Sequence, residues 1–308
     1  MQTILGAGGV IGVELAKALP EYTTDIRLVS RNPKKVNKTD NLFSADLTDP
    51  RQVDEAVKGS EIVYVTIGFQ YDAKVWRKVW VPFIRSVIEA CKKHNARLVF
   101  FDNVYMYDPD YMGNMTEDTP YRPVSKKGEI RKEVAETIMK AVDEGMMTAL
   151  IARSADFLAP TNSIPVETIY KNYRKGKAAD WIGRTDKIHN FTWAEDAGKG
   201  TAMLGNTPDA YNQVWHLPSI HEKLTAKEWA KLFAREMNVE PKIREVPMWL
   251  TGVLGWFMPI MRELKEMAYQ NNRDYFFNSS KFEERFGYKP VKAEEAIRKL
   301  VQQLENAK

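Results

Sequence analysis

The sequence predicts a doubly wound α/β fold: a parallel sheet with helices on both faces, followed by a smaller, mostly helical C-terminal domain. Three observations carry that prediction. Short β-branched runs alternate with helical patterns from Gln2 to Asn103, the signature of repeated βαβ units. A glycine-rich turn joins the first run to the first helical stretch. The chain, at 308 residues, is longer than one hydrophobic core usually organises. The division expected from these signals places residues 1–155 in the first domain and 156–308 mostly in the second, with segments returning to the first.

Each element has its own justification. The strand runs are Thr3–Leu5, Ile26–Val29, Ile62–Val65 and Leu98–Phe101. A helix opens after Asp49, with Pro50 in its first position, and closes before Gly59, as capping preferences dictate. Another is expected from Val81 to His94, where Phe83, Val87, Ile88 and Cys91 form a stripe at helical spacing. A basic helix from Glu129 to Glu144 and a strand from Thr148 to Arg153 add a further βαβ unit. The segment from Asp156 to Asn190 is irregular, and loops of this kind at the carboxyl edge of a sheet commonly hold substrate. Beyond Leu217, helices dominate. Thr225 with Glu228 and Ser280 with Glu283 read as capping boxes, and Gly287 closes the last of these helices.

Bulk properties exclude several classes of protein. Apolar residues make up 44% of the chain and charged residues 28%, the balance of an ordinary globular protein. A net charge of +4 is too small to argue for nucleic acid as a partner, although it suits an anionic ligand. Cys91, the single cysteine, rules out an internal disulfide and fits a reducing compartment; together with the early strand, which leaves no room for a secretory leader, it points to the cytoplasm. The apolar segment from Met248 to Met261 is too short and too broken by Gly252, Gly255 and Pro259 to span a membrane, so it is expected to be a buried helix, and no membrane partner is expected. His94, His189, His216 and His221 lack metal-site spacing, so no metal is expected, and His189 is read as a satisfied surface histidine. No Gly-x-Ser-x-Gly elbow and no phosphate-loop lysine is present.

The glycine turn is the most specific signal. In Gly6-Ala7-Gly8-Gly9-Val10-Ile11-Gly12, Gly6 permits a tight turn, Gly8 or Gly9 lets a pyrophosphate approach the backbone, and Gly12 lets helix and strand pack closely. Val10 and Ile11 open a helix whose N-terminus offers N–H groups and partial positive charge to phosphates. This is the cofactor end of a Rossmann-type sheet, and a nicotinamide dinucleotide is the expected ligand. At the end of the second strand, Ser30-Arg31 stands where an NAD protein carries an acidic residue, so Arg31 favours the 2′-phosphate of NADP over NAD. A solvated loop charge is the plain alternative for Arg31. Asp46 and Leu47 are expected beside the adenine, and Thr66 and Gly68 beneath the cofactor, unless they serve only as strand-end turns.

With these residues in place, the sequence resembles the extended and atypical short-chain dehydrogenase/reductases, the superfamily of the nucleotide-sugar epimerases and dehydratases. The resemblance rests on the glycine turn, Ala45-Asp46-Leu47-Thr48-Asp49, Phe100-Phe101-Asp102-Asn103-Val104-Tyr105-Met106-Tyr107, Ala152–Pro160 and Phe191–Ala197. It implies an oxidoreductase or epimerase/dehydratase-like activity on a small molecule, and, by analogy, a homodimer. It also implies a serine or threonine after the fifth strand and a Tyr-x-x-x-Lys pair on the next helix, whose tyrosine exchanges a proton with substrate. This chain departs from that pattern. Asn103 occupies the serine position, Lys127 the tyrosine position and Arg131 the lysine position. Two readings follow. In one, Lys127, Tyr105 or Tyr107 donates the proton while Asn103 binds a substrate oxygen, and Lys126 and Arg131 or burial lower the pKa of Lys127. In the other, the protein is a catalytically silent NADP-binding regulator or redox sensor, and Lys127 and Arg131 only neutralise charge on the bound cofactor.

Overall fold

The computed structural model describes residues 1–247 and 266–306, so the Met248–Met261 segment lies outside the described residues. The chain divides into two compact units. The first comprises Met1–Met106, Lys126–Arg153 and Ala194–Leu217; the second comprises Tyr107–Ser125, Ser154–Trp193 and Pro218–Lys308.

In chain order the strands are β1 (Gln2–Leu5), β2 (Ile26–Ser30), β3 (Asn41–Ser44), β4 (Ile62–Val65), β5 (Arg97–Asp102), β6 (Ala149–Arg153), β7 (Asp156–Leu158), β8 (Ala179–Ile182), β9 (Phe191–Trp193), β10 (Val214–His216) and β11 (Ile243–Val246). The helices are α1 (Val10–Ala18), α2 (Pro50–Val57), α3 (Ala73–His94), α4 (Lys126–Asp143), α5 (Lys171–Arg174), α6 (Ala194–Gly205), α7 (Ala226–Glu236), α8 (Ser280–Phe286) and α9 (Ala293–Asn306).

The first unit holds a seven-stranded parallel sheet in the order β10-β6-β5-β4-β1-β2-β3. Every residue of β1, β4 and β6 is buried, as expected of parallel strands covered by helices on both faces. Strand order reverses between β1 and β4, which makes the carboxyl ends of those strands the crevice where open sheets take ligands. This is the doubly wound, Rossmann-like α/β architecture the sequence predicts.

Helix boundaries show what local patterns miss. α2 starts as expected, with the Asp49 carboxylate accepting from the Arg51 N–H at 2.9 Å. α3, however, begins at Ala73 rather than Val81, because the Asp72 carboxylate caps the N–H groups of Lys74 and Val75 and the buried stripe extends back through Trp80 to Trp76. Pro82 sits inside α3, exposed between buried Val81 and Phe83. α4 likewise begins earlier than expected, at Lys126.

The second unit contains two short parallel pairs, β8 with β11 and β7 with β9. Its core gathers Trp181, Phe191, Trp229, Phe233, Ile297 and Leu300. The Thr225–Glu228 capping box forms at the start of α7. The one expected at Ser280 does not: Ser279 is the N-cap of α8, its hydroxyl donates to Glu283 Oε1 at 2.6 Å, and the Ser280 N–H goes to Asn278. Gly287 closes α8 in the left-handed conformation.

Close packing of α1 on α6 depends on Gly198, where an added Cβ would lie 2.6 Å from the Glu14 carbonyl carbon. Gly198→Ala should therefore lower unfolding free energy by about 1–3 kcal/mol, the usual cost of overpacking, as read from denaturant melts. An unchanged midpoint would mean that the two helices can separate freely.

Candidate functional site

The β1–α1 turn is built as a cradle. Gly6 has a φ of +100°, and a Cβ there would lie 2.4 Å from the Ile67 Cα, so no other residue fits. A Cβ at Gly12 would approach the Gly6 carbonyl oxygen to 2.7 Å, which is how α1 is drawn against the turn. Gly8 differs: a Cβ there would meet nothing within 4 Å, so its bare backbone faces open space rather than protein. Gly9 is the N-cap of α1 and supplies no side-chain cap, leaving the first N–H groups at Val10, Ile11 and Gly12 for an anion. Open backbone at Gly8 and an uncapped helix start are what a pyrophosphate requires, so the residues present fit a dinucleotide.

Beside this turn, β2 ends at Ser30, and Arg31 follows it, exposed. The Arg31 backbone carbonyl accepts from the Ser44 hydroxyl at 2.8 Å, which fixes the loop while leaving the guanidinium outside it. Asp46 is exposed, its carboxyl held below the usual range by the Thr48 N–H and hydroxyl, with a smaller contribution from the charge of Arg31. Leu47 is buried. Thr66, half-buried after β4, donates its backbone N–H to Leu5, and Gly68 is exposed with open space around its Cα. Ser30, Arg31, Asp46, Thr66 and Gly68 all lie at or just past the carboxyl ends of β2, β3 and β4.

At the end of β5 the arrangement departs from what the sequence suggests. Arg131 turns inward: its Nε donates to the Asp102 carboxylate at 2.8 Å, a second nitrogen pairs with the same oxygen, and its guanidinium stacks 4.3 Å from the Trp80 ring centroid. Arg153 pairs with the other Asp102 oxygen at 3.2 Å. Asp102, Arg131 and Arg153 are all buried. The guanidinium expected to touch the cofactor is thus committed to a strand end.

Lys127, one helical turn before Arg131, is fully buried rather than solvated, its ammonium 4.6 Å from the centroid of the Tyr71 ring. The Tyr71 hydroxyl in turn lies 3.4 Å from that of Tyr105. Asn103 uses its side-chain oxygen locally, accepting from the Tyr105 N–H at 3.1 Å in an Asx turn. Tyr107 belongs to the second unit, where it is buried and bridges to Tyr121. Among the sequence candidates, then, Lys127 and Tyr105 meet through Tyr71, a residue the motif comparison passed over. The signal that marks it is positional: Tyr71 follows β4 as Tyr105 follows β5.

Within the second unit, His189 is not a surface residue. Its ring is 2% exposed, lies parallel to Tyr275 at 4.5 Å, and its Nε2 sits 2.9 Å from the Asp156 carboxylate. The irregular segment buries it because Trp181 and Phe191 flank it on either side. Burial pushes the Tyr269 hydroxyl up to about 12, with Asp156 adding to the effect. In the first unit, burial pushes the Cys91 thiol up to about 12 and leaves it inert. Among the described residues, no cluster of His, Cys, Asp or Glu is arranged to hold a metal ion, and no helix is long and apolar enough to cross a membrane.

Comparison with known proteins places this geometry. Residues 6–143 match the "NAD(P)H-binding" family model. The fold is shared with solved nucleotide-sugar dehydratases and epimerases. The dTDP-glucose 4,6-dehydratase DesIV from Streptomyces venezuelae, crystallised with NAD, superposes with a TM-score of 0.79 at 14% identity, covering 99% of this chain and 97% of that one. The UDP-glucuronic acid 4-epimerase from Bacillus cereus, in complex with NAD, gives 0.77 at 15% identity, covering 99% of each chain. Another neighbour, gox2253, gives 0.79 at 17% identity over 100% and 98% of the two chains. No curated protein matches the chain in sequence. Residues 6–143 thus resemble an NAD(P)H-binding domain, and the chain shares its fold with the solved dehydratase and epimerase.

Two substitutions separate structure from binding here. Gly8→Ala should leave the melting temperature unchanged, because its methyl enters open space, yet weaken dinucleotide binding in a calorimetric titration about tenfold or more, since a methyl there occupies the pyrophosphate's path. Asp102→Asn should destabilise the protein by about 3–5 kcal/mol in chemical denaturation, because it removes the carboxylate from a buried ion pair.

Proposed function

We propose that this protein is an NADP-preferring oxidoreductase of epimerase/dehydratase-like type, acting on a small-molecule substrate without a Tyr-x-x-x-Lys pair. The observation that carries the cofactor preference is Arg31. It stands exposed at the carboxyl end of β2, and the strand end offers Ser30 in place of an acidic residue. A carboxylate at that position would accept from the ribose hydroxyls and repel a 2′-phosphate; a guanidinium does the reverse. When bound, the dinucleotide supplies hydride transfer. The chain's own residues bind and orient it, the α1 N-terminus holding the pyrophosphate and Thr66 and Gly68 flooring the crevice. The part of the chain after residue 155 is read as mainly substrate-holding.

One observation favours the second reading, a silent NADP-binding regulator. Arg131, at the position the resemblance assigns to a catalytic lysine, has its guanidinium spent on Asp102. An oxidoreductase of this design must take the lysine's part from another cation.

Parallel titrations of the purified protein with NADPH and NADH test the cofactor assignment. NADPH should bind about ten- to a hundredfold more tightly, the worth of one or two charge-assisted hydrogen bonds, and Arg31→Ala should abolish the difference. Equal affinity in the wild type would sink the preference, and no binding of either would sink the oxidoreductase reading with it.

A further inference from the structure

Two phenols and a buried ammonium meet at the carboxyl ends of β4 and β5. Tyr71 follows β4 and Tyr105 follows β5, with their hydroxyls 3.4 Å apart. The Lys127 ammonium, from the first turn of α4, lies 4.6 Å from the centroid of the Tyr71 ring. Trp76 binds the group together, stacking on Tyr105 at 6.3 Å and meeting Tyr71 edge-on at 5.6 Å. Its own indole N–H is buried and has no hydrogen-bond partner among the described residues. A buried donor left unmatched costs about 1–3 kcal/mol, and a ligand acceptor is one way to recover it.

Accessibility divides the labour among these groups. Lys127 is fully buried, so it reaches no ligand. Tyr71 and Tyr105 are half-buried, so an incoming molecule can touch them. We propose that Tyr71, with Tyr105 behind it, is the proton donor of this site and that Lys127 is the positioning cation that stabilises the phenolate. The proposal rests on the oxidoreductase reading and identifies the substrate class as a molecule whose oxygen gains negative charge, as a carbonyl does on reduction.

The step balances within these residues. The Tyr71 O–H bond breaks as an O–H bond forms on the substrate oxygen, and the electron pair stays on Tyr71 as a phenolate beside Lys127. The Tyr105 hydroxyl then passes its proton to Tyr71, which leaves the phenolate on half-buried Tyr105, where a proton from water restores it. Asp72 turns its carboxylate to the N-terminus of α3, and Arg131 is matched by Asp102. An opposite charge within about 4–6 Å favours the ionised form of an acid by about tenfold or more.

Nitration by tetranitromethane, which attacks phenolates, reads this directly on the full chain without cofactor. After a short exposure at neutral pH, peptide mapping should find Tyr71 nitrated faster than the far more exposed Tyr111, which is 49% accessible. Lys127→Met should slow nitration of Tyr71 about tenfold while leaving Tyr111 unchanged, and Lys127→Arg should restore it. Tyr71 reacting no faster than Tyr111 in the wild type overturns the proposal, and that comparison needs no variant to fold. An unchanged Tyr71 rate in folded Lys127→Met overturns it equally. Because no dinucleotide is present, the outcome is separate from the NADPH titration: slow Tyr71 with tight NADPH binding removes the donor and keeps the oxidoreductase reading, whereas fast Tyr71 with no binding overturns the oxidoreductase reading and the donor role with it, leaving only the Tyr71–Lys127 coupling.

Discussion

The arrangement at the carboxyl edge of the sheet depends on one carboxylate. Asp102 ends β5, and its register partner across the parallel ladder is Arg153, the last residue of β6. Strand pairing alone therefore sets a buried cation beside a buried anion. Arg131 reaches the same carboxylate from α4, so three elements of the first unit converge on two oxygen atoms. Burying such charges is expensive, and the geometry recovers the cost only because each Asp102 oxygen is matched by a guanidinium nitrogen. What the network supplies is position. Lys127 precedes Arg131 by one helical turn and so shares its face; once Asp102 fixes Arg131, the depth and rotation of α4 place Lys127 over Tyr71.

Aromatic rings make that placement tolerable. Trp80 and Phe100 cover the Arg131 guanidinium, at 4.3 and 4.9 Å from their ring centroids, and Tyr71 receives Lys127. A cation over a ring face gains about 0.5–2 kcal/mol, more as water is excluded. Both Trp80 and Trp76 belong to the first turns of α3, the part of that helix lying before Pro82. The Asp72 cap that starts α3 early therefore does more than lengthen a helix. It brings forward the rings on which two buried cations rest.

Much of this fold is written locally. β4 spans Ile62–Val65 exactly as its β-branched run indicates, and the glycine turn sits between β1 and α1 because strand, glycines and apolar helix are contiguous in sequence. Capping at Asp49, Thr225 and Gly287 follows from single side chains and their immediate neighbours. The cofactor end of the candidate site is visible for the same reason. Its reaction end is not. Nothing near Arg131 in sequence announces Asp102, 29 residues away, and nothing near Lys127 announces Tyr71. The same limit hides His189: its partners Asp156 and Tyr275 lie on distant segments, so a residue in a polar, irregular stretch ends up among rings. The short strands β7, β8, β9 and β11 share that dependence, being too brief to show period-two alternation and existing only through their pairings.

Motif alignment and geometry lead to different conclusions about chemistry at this site. By alignment, a lysine has replaced a tyrosine and an arginine a lysine, and the acid–base pair is gone. By geometry, the requirement is not a residue type at a fixed position but a phenol that can reach a ligand and a cation close enough to stabilise its anion. Lys127 has taken the tyrosine's place in the chain without taking its place in space, since it lies too deep to touch substrate. The phenols have moved to neighbouring strand ends, and the cation has stayed within reach of one of them. Sheet topology permits the exchange, because the loops after β4 and β5 are adjacent wherever those strands pair in parallel. A side chain lost from a helix at that edge can thus be replaced from a loop without altering the crevice at the carboxyl ends of β1 and β4.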